Sequence, residues 1–323
     1  MTRSPSSDRF SFIQITDCHL MDTPDSLLRG LCTHFTLRRV LQHIARHESA
    51  AADFILGTGD YVCFPTDRQY RCFTDAIGLH SPDTPFPGPQ TLGFPGLEGM
   101  PIYFLPGNHD RDETFIRQFF PGSPEPDSLD FAFTYKGVRF LCLDTPRFVL
   151  RPIPPPARDT MCESSMRFLE TECASLSDET PVVVAMHSPP APVAEMPWVE
   201  GEIPTDIDRF WELLAGKNVL AVLHGHIHAT KEREVGGVPV LSLRATANQW
   251  ADGADMIPTT QAPHYRVVTV EDGRFSHRNV EVDTNWGNVA LEAGVPMNER
   301  GFAEAGGSAV EHLFVGELPR REF

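Results

Sequence analysis

"VLAVLHGHIH" (219–228) opens with five apolar residues and closes with histidines at 224, 226 and 228. The apolar half reads as a buried strand and the polar half as the turn that follows it. The same grammar occurs in "FSFIQITDCH" (10–19), "DFILGTGD" (53–60), "PIYFLPGNHD" (101–110) and "PVVVAMHSPP" (181–190). In open α/β sheets, ligands gather beyond the carboxyl ends of the strands. The five turns therefore predict one shared site, made of Asp17, His19, Asp60, Asn108, His109, His187, His226 and His228.

Helical periodicity fills the gaps between these strands. Leu37, Val40, Leu41, Ile44 and Ala45 predict a helix over 33–48. Others are expected near 67–79, around Phe115 and Phe119, over Met166, Leu169, Cys173 and Leu176, and over Ile207, Phe210, Trp211 and Leu214, opened by Pro204. "FAFTYKGVRFLCLDT" (131–145) predicts a hairpin turning at Lys136-Gly137, and strands are expected near 229–235, 238–244, 264–270 and 274–281. Alternation in the first half predicts an α/β fold, and the later hairpins predict a second sheet. Residues 81–100, dense in Pro and Gly, read as a loop or lid. Residues 145–160 are too Pro-rich for regular structure, and the pattern fades beyond about 284.

The 323 residues carry a formal charge of −17, which argues against a nucleic-acid polymer or an anionic membrane surface as partner. It does not exclude a small phosphate substrate, because bound cations make a cleft locally positive. Seven cysteines with no C-x-x-C pair read as reduced, buried thiols in a cytoplasmic protein. The polar start "MTRSPSSDRF" does not read as a signal peptide, and no apolar run is long enough to span a bilayer.

Carboxylate, imidazole and amide-oxygen donors suit iron, manganese or zinc. Eight candidates exceed the needs of one ion and suit two, and a two-metal site clamps an in-line displacement at phosphorus. Asp60, alone at a Gly-rich turn, is the expected bridge between them.

The blocks Asp17-Cys18-His19, Gly59-Asp60, Gly107-Asn108-His109-Asp110, His187 and Gly225-His226-Ile227-His228 occur in this order. The constellation resembles the calcineurin-like metallophosphoesterase superfamily. The resemblance implies a four-layer α/β/β/α sandwich of two mixed sheets flanked by helices. Residues 1–283 would form the catalytic domain and 284–323 a tail or an arm for a homodimer. It also implies that Asp17, His19, Asp60 and His228 hold one metal ion and that Asp60, Asn108, His187 and His226 hold the other. Asn108 and His109 would act on the substrate phosphate. The implied reaction is hydrolysis by hydroxide activated between the two ions, with no covalent intermediate.

Within the superfamily, "FIQITDCHL", "CESSMRFLETECASLSDETPVVVAMHSPP" and "APHYRVVTVEDGRF" resemble bacterial class III cyclic-nucleotide phosphodiesterases and their glycerophosphodiester-cleaving relatives. One position departs: His187-Ser188-Pro189-Pro190 stands where those relatives often have His-His-Pro-Pro. The implied substrate is a small phosphodiester such as cyclic AMP. The alternatives are a glycerophosphodiester, a nucleotide pyrophosphate or a phosphomonoester. A non-catalytic interaction scaffold is the alternative of another class; the intact ligand set and His109 count against it. His224 is expected to be buried or to lie behind the ligands, Cys18 to point into packing, and Asp110 to open the next helix. Arg111 and Arg147 read as solvated groups within reach of an anionic substrate. His34, His43, His47, His80, His264, His277 and His312 read as ordinary residues.

Overall fold

The computed structural model describes residues 9–284 apart from 30, 80–83, 111, 124–127, 146–160, 162 and 260. The C-terminal tail, Arg111, Arg147, Cys162, His80, His312 and nearly all of the Pro-rich 145–160 stretch lie outside the described residues.

The first sheet contains β1 (Phe10–Ile15), β2 (Phe54–Thr58), β3 (Gln90–Thr91), β4 (Pro101–Leu105), β13 (His264–Glu271) and β14 (Arg274–Glu281), in the order β14-β13-β1-β2-β4-β3. The second contains β5 (Phe131–Tyr135), β6 (Val138–Cys142), β7 (Val182–Ala185), β8 (Val219–His224), β9 (Glu232–Val235) and β10 (Val238–Ser242), in the order β5-β6-β7-β8-β10-β9. Each has a parallel centre and antiparallel edges: β1, β2 and β4 run parallel, as do β6, β7, β8 and β10. A two-stranded ribbon, β11 (Gln249–Trp250) with β12 (Pro258–Thr259), stands apart.

The central strands are apolar on both faces, as sheets covered on both sides require. On β1, Phe10 and Phe12 face the other sheet, while Ile13 and Ile15 face the helices. On β8, Ala221 and Leu223 face the first sheet and Val222 faces outward. Phe12 and Phe54 stack between the sheets with ring centroids 5.1 Å apart. Truncating either buried ring costs about 3–5 kcal/mol.

Helices α1 (Thr33–His47), α2 (Asp67–Ile77) and α3 (Asp112–Phe119) cover the first sheet, and α4 (Glu163–Ser175) and α5 (Ile207–Leu214) cover the second. The result is the expected four-layer α/β/β/α sandwich. Helix α1 buries Leu37, Val40, Leu41 and Ile44 and ends on Arg46 and His47, cations that suit a helix C-terminus. Helix α2 is capped by the Thr66 side chain, which accepts from Gln69 N, and stops at Gly78 in the left-handed conformation, φ 74°. Helix α5 starts one turn after Pro204, which precedes the helix instead of opening it; Ile207 N donates to Pro204 O at 3.1 Å.

The described part of the 81–100 segment is a loop with a structural task. Leu92, Phe94 and Leu97 are buried in the core beneath α1 and α2, and β3 pairs with the start of β4 at Pro101 and Ile102. Its paired residues therefore lie at the far end of β4 from Asn108. The two-residue strands and a short 3-10 helix, Pro197–Glu202, are the elements that periodicity did not predict, being too short to show a period.

Candidate metal centre

All five polar turns leave the carboxyl ends of β1, β2, β4, β7 and β8, and they converge. Their backbone is unusual. Asp17, His19, Asp60, His226 and His228 all have positive φ, between 46° and 69°. Such conformations are costly for residues other than Gly and tend to collect at functional sites. Cross-links hold them. Asp17 N donates to Gly59 O at 3.0 Å, and His19 N to Asp60 O at 2.9 Å. The Asp17 carboxylate accepts from His226 N at 3.0 Å and from Thr16 Oγ1 at 2.7 Å.

Asp110 is another such tie, and not the start of α3, which begins at Asp112. Its buried carboxylate accepts from Asp60 N at 2.8 Å, Gly107 N at 2.9 Å and Tyr70 OH at 2.9 Å. Burial, and then the neighbouring Asp60, push Asp110 up to about 7. The motif glycines are needed for close approach. A Cβ at Gly107 would collide with Asp60 Oδ1, and one at Gly225 with Thr16 Oγ1 and Asp17 Oδ2.

Two groups of donors result. In the first, Asp17 Oδ1 lies 3.2 Å from His228 Nε2 and 3.8 Å from His19 Nε2, and the two Nε2 atoms are 3.0 Å apart. In the second, Asn108 Oδ1 lies 3.0 Å from His187 Nε2 and 2.9 Å from His226 Nδ1. Asp60 Oδ2 joins them, 3.5 Å from His19 Nε2 and 3.2 Å from His187 Nε2. Its other oxygen accepts from His109 N at 2.8 Å.

Hydrogen bonds behind the rings fix which nitrogen faces inward. His187 Nδ1 lies 2.7 Å from Thr58 O, and His228 Nδ1 lies 2.6 Å from Asn248 O. A carbonyl only accepts, so each Nδ1 carries a proton and Nε2 is the nitrogen that faces inward. There it meets carboxylate and amide oxygens. So many converging oxygens and ring nitrogens call for positive charge at their centre, from a proton on a ring or from a metal ion. The donor set thus fits borderline-to-hard metal ions.

The charges agree. Burial would lower His187, but Asp60 and then Asp17 outweigh it and raise the imidazole to about 10. Burial would raise Asp17 and Asp60, but the histidines around them hold both below the usual carboxylate range. Burial lowers His19. A proton on His187 therefore occupies the place of positive charge in the absence of metal.

His109 stands beside the two groups. Its ring meets that of His19 edge-on at 4.7 Å, and its Nδ1 lies 2.6 Å from Cys63 O, leaving Nε2 as its second functional nitrogen. Cys63 was not anticipated. Its thiol shares a potential donor cluster with His19 and His109, and burial pushes it up to about 12. A single cysteine three residues past Asp60 gave no spacing signal. Glu202 was also missed: its Oε2 lies 3.3 Å from His226 Nε2. It comes from the unpredicted 3-10 helix.

Cys18 and His224 fall as expected. Cys18 is fully buried in the core under α1. His224 is buried, its Nδ1 lies 3.0 Å from Gly225 O, and burial lowers it to about 3. Ser188 is buried, with its backbone N donating to Thr145 Oγ1 at 3.0 Å.

Residues 10–230 match the family described as calcineurin-like phosphoesterase. Among curated proteins, the chain is 25% identical over 286 residues to the 3',5'-cyclic adenosine monophosphate phosphodiesterase CpdA of Pseudomonas aeruginosa, covering 87% of this chain and 94% of that protein. It is 22% identical over 242 residues to a probable glycerophosphodiester phosphodiesterase GpdQ of Arcobacter nitrofigilis, covering 74% and 79%. Among solved structures, it shares its fold with a dimetal phosphatase from Danio rerio at TM-score 0.54 and 15% identity, covering 85% of this chain and 99% of that one. The same fold appears in GAP50, the anchor in the inner membrane complex of Plasmodium, at TM-score 0.54 and 10% identity, covering 88% and 87%. No described helix is long and apolar enough to cross a membrane.

Proposed function

Because the chain belongs to the calcineurin-like phosphoesterase family, we propose that this hydrolytic phosphoesterase is a two-metal phosphodiesterase acting on small diesters, with 3',5'-cyclic nucleotides, cyclic AMP above all, as substrates. The observation that carries the two-metal reading is the position of Asp60 Oδ2, 3.5 Å from His19 Nε2 and 3.2 Å from His187 Nε2. We assign Asp17, His19, Asp60 and His228 to one ion and Asp60, Asn108, His187 and His226 to the other. When bound, such ions supply a water acidic enough to lose its proton near neutral pH and neutralise the phosphoryl oxygens. Iron, manganese and zinc all suit these donors, and availability selects among them.

The chain's own groups do the rest. Asp60 uses Oδ1 on His109 N and turns Oδ2 inward, while Asp17 is anchored by Thr16 Oγ1 and His226 N and keeps Oδ1 among the histidines. Asn108 offers its amide oxygen from the turn after β4. His109, with Nδ1 tied to the Cys63 carbonyl, presents Nε2 to the leaving oxygen, where it donates a proton or stabilises developing charge. The chain as a whole is acidic, with a formal net charge of −17. A phosphodiester carries one negative charge where a monoester carries about two near neutral pH, so the diester is the easier guest.

Cyclic nucleotides come first because the likeness to CpdA spans 87% of the chain. The second reading, a glycerophosphodiester, is supported by the likeness to GpdQ. GAP50 is an anchor on the same fold, but a pure scaffold does not need five strained residues to hold an intact donor set. The test is a panel assayed with manganese: bis-nitrophenyl phosphate, nitrophenyl phosphate, cyclic AMP, cyclic GMP and a glycerophosphodiester. Faster cleavage of the monoester than of the diester would remove the phosphodiesterase assignment. Diester cleavage without ring opening would move the substrate to the second reading.

A further inference from the structure

The ligand histidines do not have equivalent support. His187 and His228 rest on main-chain carbonyls of Thr58 and Asn248. His226 is turned the other way round, with Nδ1 2.9 Å from Asn108 Oδ1 and Nε2 3.3 Å from the carboxylate of Glu202. We propose that Glu202 is the positioning residue of His226, and that through this contact the Pro197–Glu202 helix sets the affinity of the second metal subsite. This rests on the ligand assignment made above.

A carboxylate does two things that a carbonyl does not. Its full negative charge fixes the proton on Nε2, so that Nδ1 keeps its lone pair for the site. It also makes the imidazole a stronger donor, as outer carboxylates do for metal-bound histidines. The partner lies outside the strand-end turns. Glu202 ends a short helix that carries Val199, buried against Ile227 and Trp250, and Trp198, packed on the same cluster. Ile227 is the residue between His226 and His228. The same helix thus supports the turn by packing and grips His226 by charge. The Glu202 side chain is about one-quarter exposed, so an isosteric change there leaves the core intact. Glu200, on the same helix, is exposed and provides a matched control.

The experiment is metal titration of the stripped full-length protein, by calorimetry and by metal content after desalting. Glu202→Gln, Glu202→Asp and Glu200→Gln are compared with the unaltered chain. Outer-partner substitutions typically cost about 10–100-fold in metal affinity. Glu202→Gln is expected to weaken one of two binding events by about that factor and to leave the other unchanged. Glu202→Asp, which keeps the charge on a shorter arm, should recover part of the loss, and Glu200→Gln should behave as the unaltered chain. Excess manganese should restore turnover in Glu202→Gln with little change in KM for substrate. Two unchanged binding events in Glu202→Gln would overturn the proposal, and so would an equal weakening of both. If the unaltered chain binds fewer than two ions, it is the two-metal assignment that fails.

Discussion

Replacing Asp60 by asparagine removes one charge and almost no volume. Asp60 Oδ1 accepts from His109 N at 2.8 Å, while Oδ2 lies 3.2 Å from His187 Nε2 and 3.5 Å from His19 Nε2. The amide oxygen can keep the bond to His109 N, and the amide nitrogen must then face the histidines. On the proposed ligand set, a donor replaces the shared acceptor of both ions. One unit charge at about 4 Å is worth about 4 kcal/mol at an effective dielectric near 20. If relaxation and water recover half of it, about 2 kcal/mol remains, so metal affinity should fall by about 30-fold to 1000-fold at about 1.4 kcal/mol per decade. Titration of stripped protein with manganese reads this directly. A second readout needs no metal: Asp60 is the main group raising His187, so the imidazole should titrate well below about 10 in the variant, followed by NMR. Retention of two ions per chain at unaltered affinity would refute the shared role. Asp17, whose Oδ1 lies 3.2–3.9 Å from His228, His19 and His187, would then be the remaining candidate.

His109→Ala should keep both metal-binding events and lose about a hundredfold or more in turnover, the range for loss of a general acid. The loss should shrink for nitrophenyl leaving groups, which need no protonation; metal depletion in this variant would make His109 a ligand instead. Stability should also depend on metal in a pH-specific way. His187 is raised to about 10 in the metal-free fold from an unfolded value near 6.5. Its stabilising effect is complete below about pH 6.5 and is lost as pH rises towards 10. Metal takes the place of that proton, so loading should flatten the fall in melting temperature between about pH 7 and 9. An alkaline limb identical with and without manganese would contradict this account of His187.

The four layers were readable in the sequence because the central strands are apolar on both faces and alternate with helices of clear period. The convergence of the candidate site was readable because its polar residues lie within a few residues of strand ends. What stayed hidden depended on contacts across long stretches of chain. Asp110 looked like a helix start, yet its carboxylate reaches back fifty residues to Asp60 N. Glu202 meets His226 from a helix too short to have a period. The 81–100 segment announced itself as irregular, but only the pairing of Gln90 and Thr91 with Ile102 and Pro101 shows which end of β4 those residues meet.

Local preference fails most where the proposed chemistry is densest. Positive φ at Asp17, His19, Asp60, His226 and His228 runs against the preference of every one of these residues. Two carboxylates are buried beside each other, and ring nitrogens crowd against buried oxygens. Apart from the proton held on His187, none of this helps a metal-free chain to fold. The compensation in the structure is backbone cross-linking: Asp17 to Gly59, His19 to Asp60, His226 to the Asp17 carboxylate, and Asp110 to two turns at once. These bonds hold the conflicting groups at distances where cations turn each conflict into an attraction. On the proposed ligand set, whose donors come from five separate strand ends, ion binding would stabilise the fold itself, by an amount that grows with ion concentration. The site is therefore costly on its own, held in place by the sheets, and repaid only when it is filled.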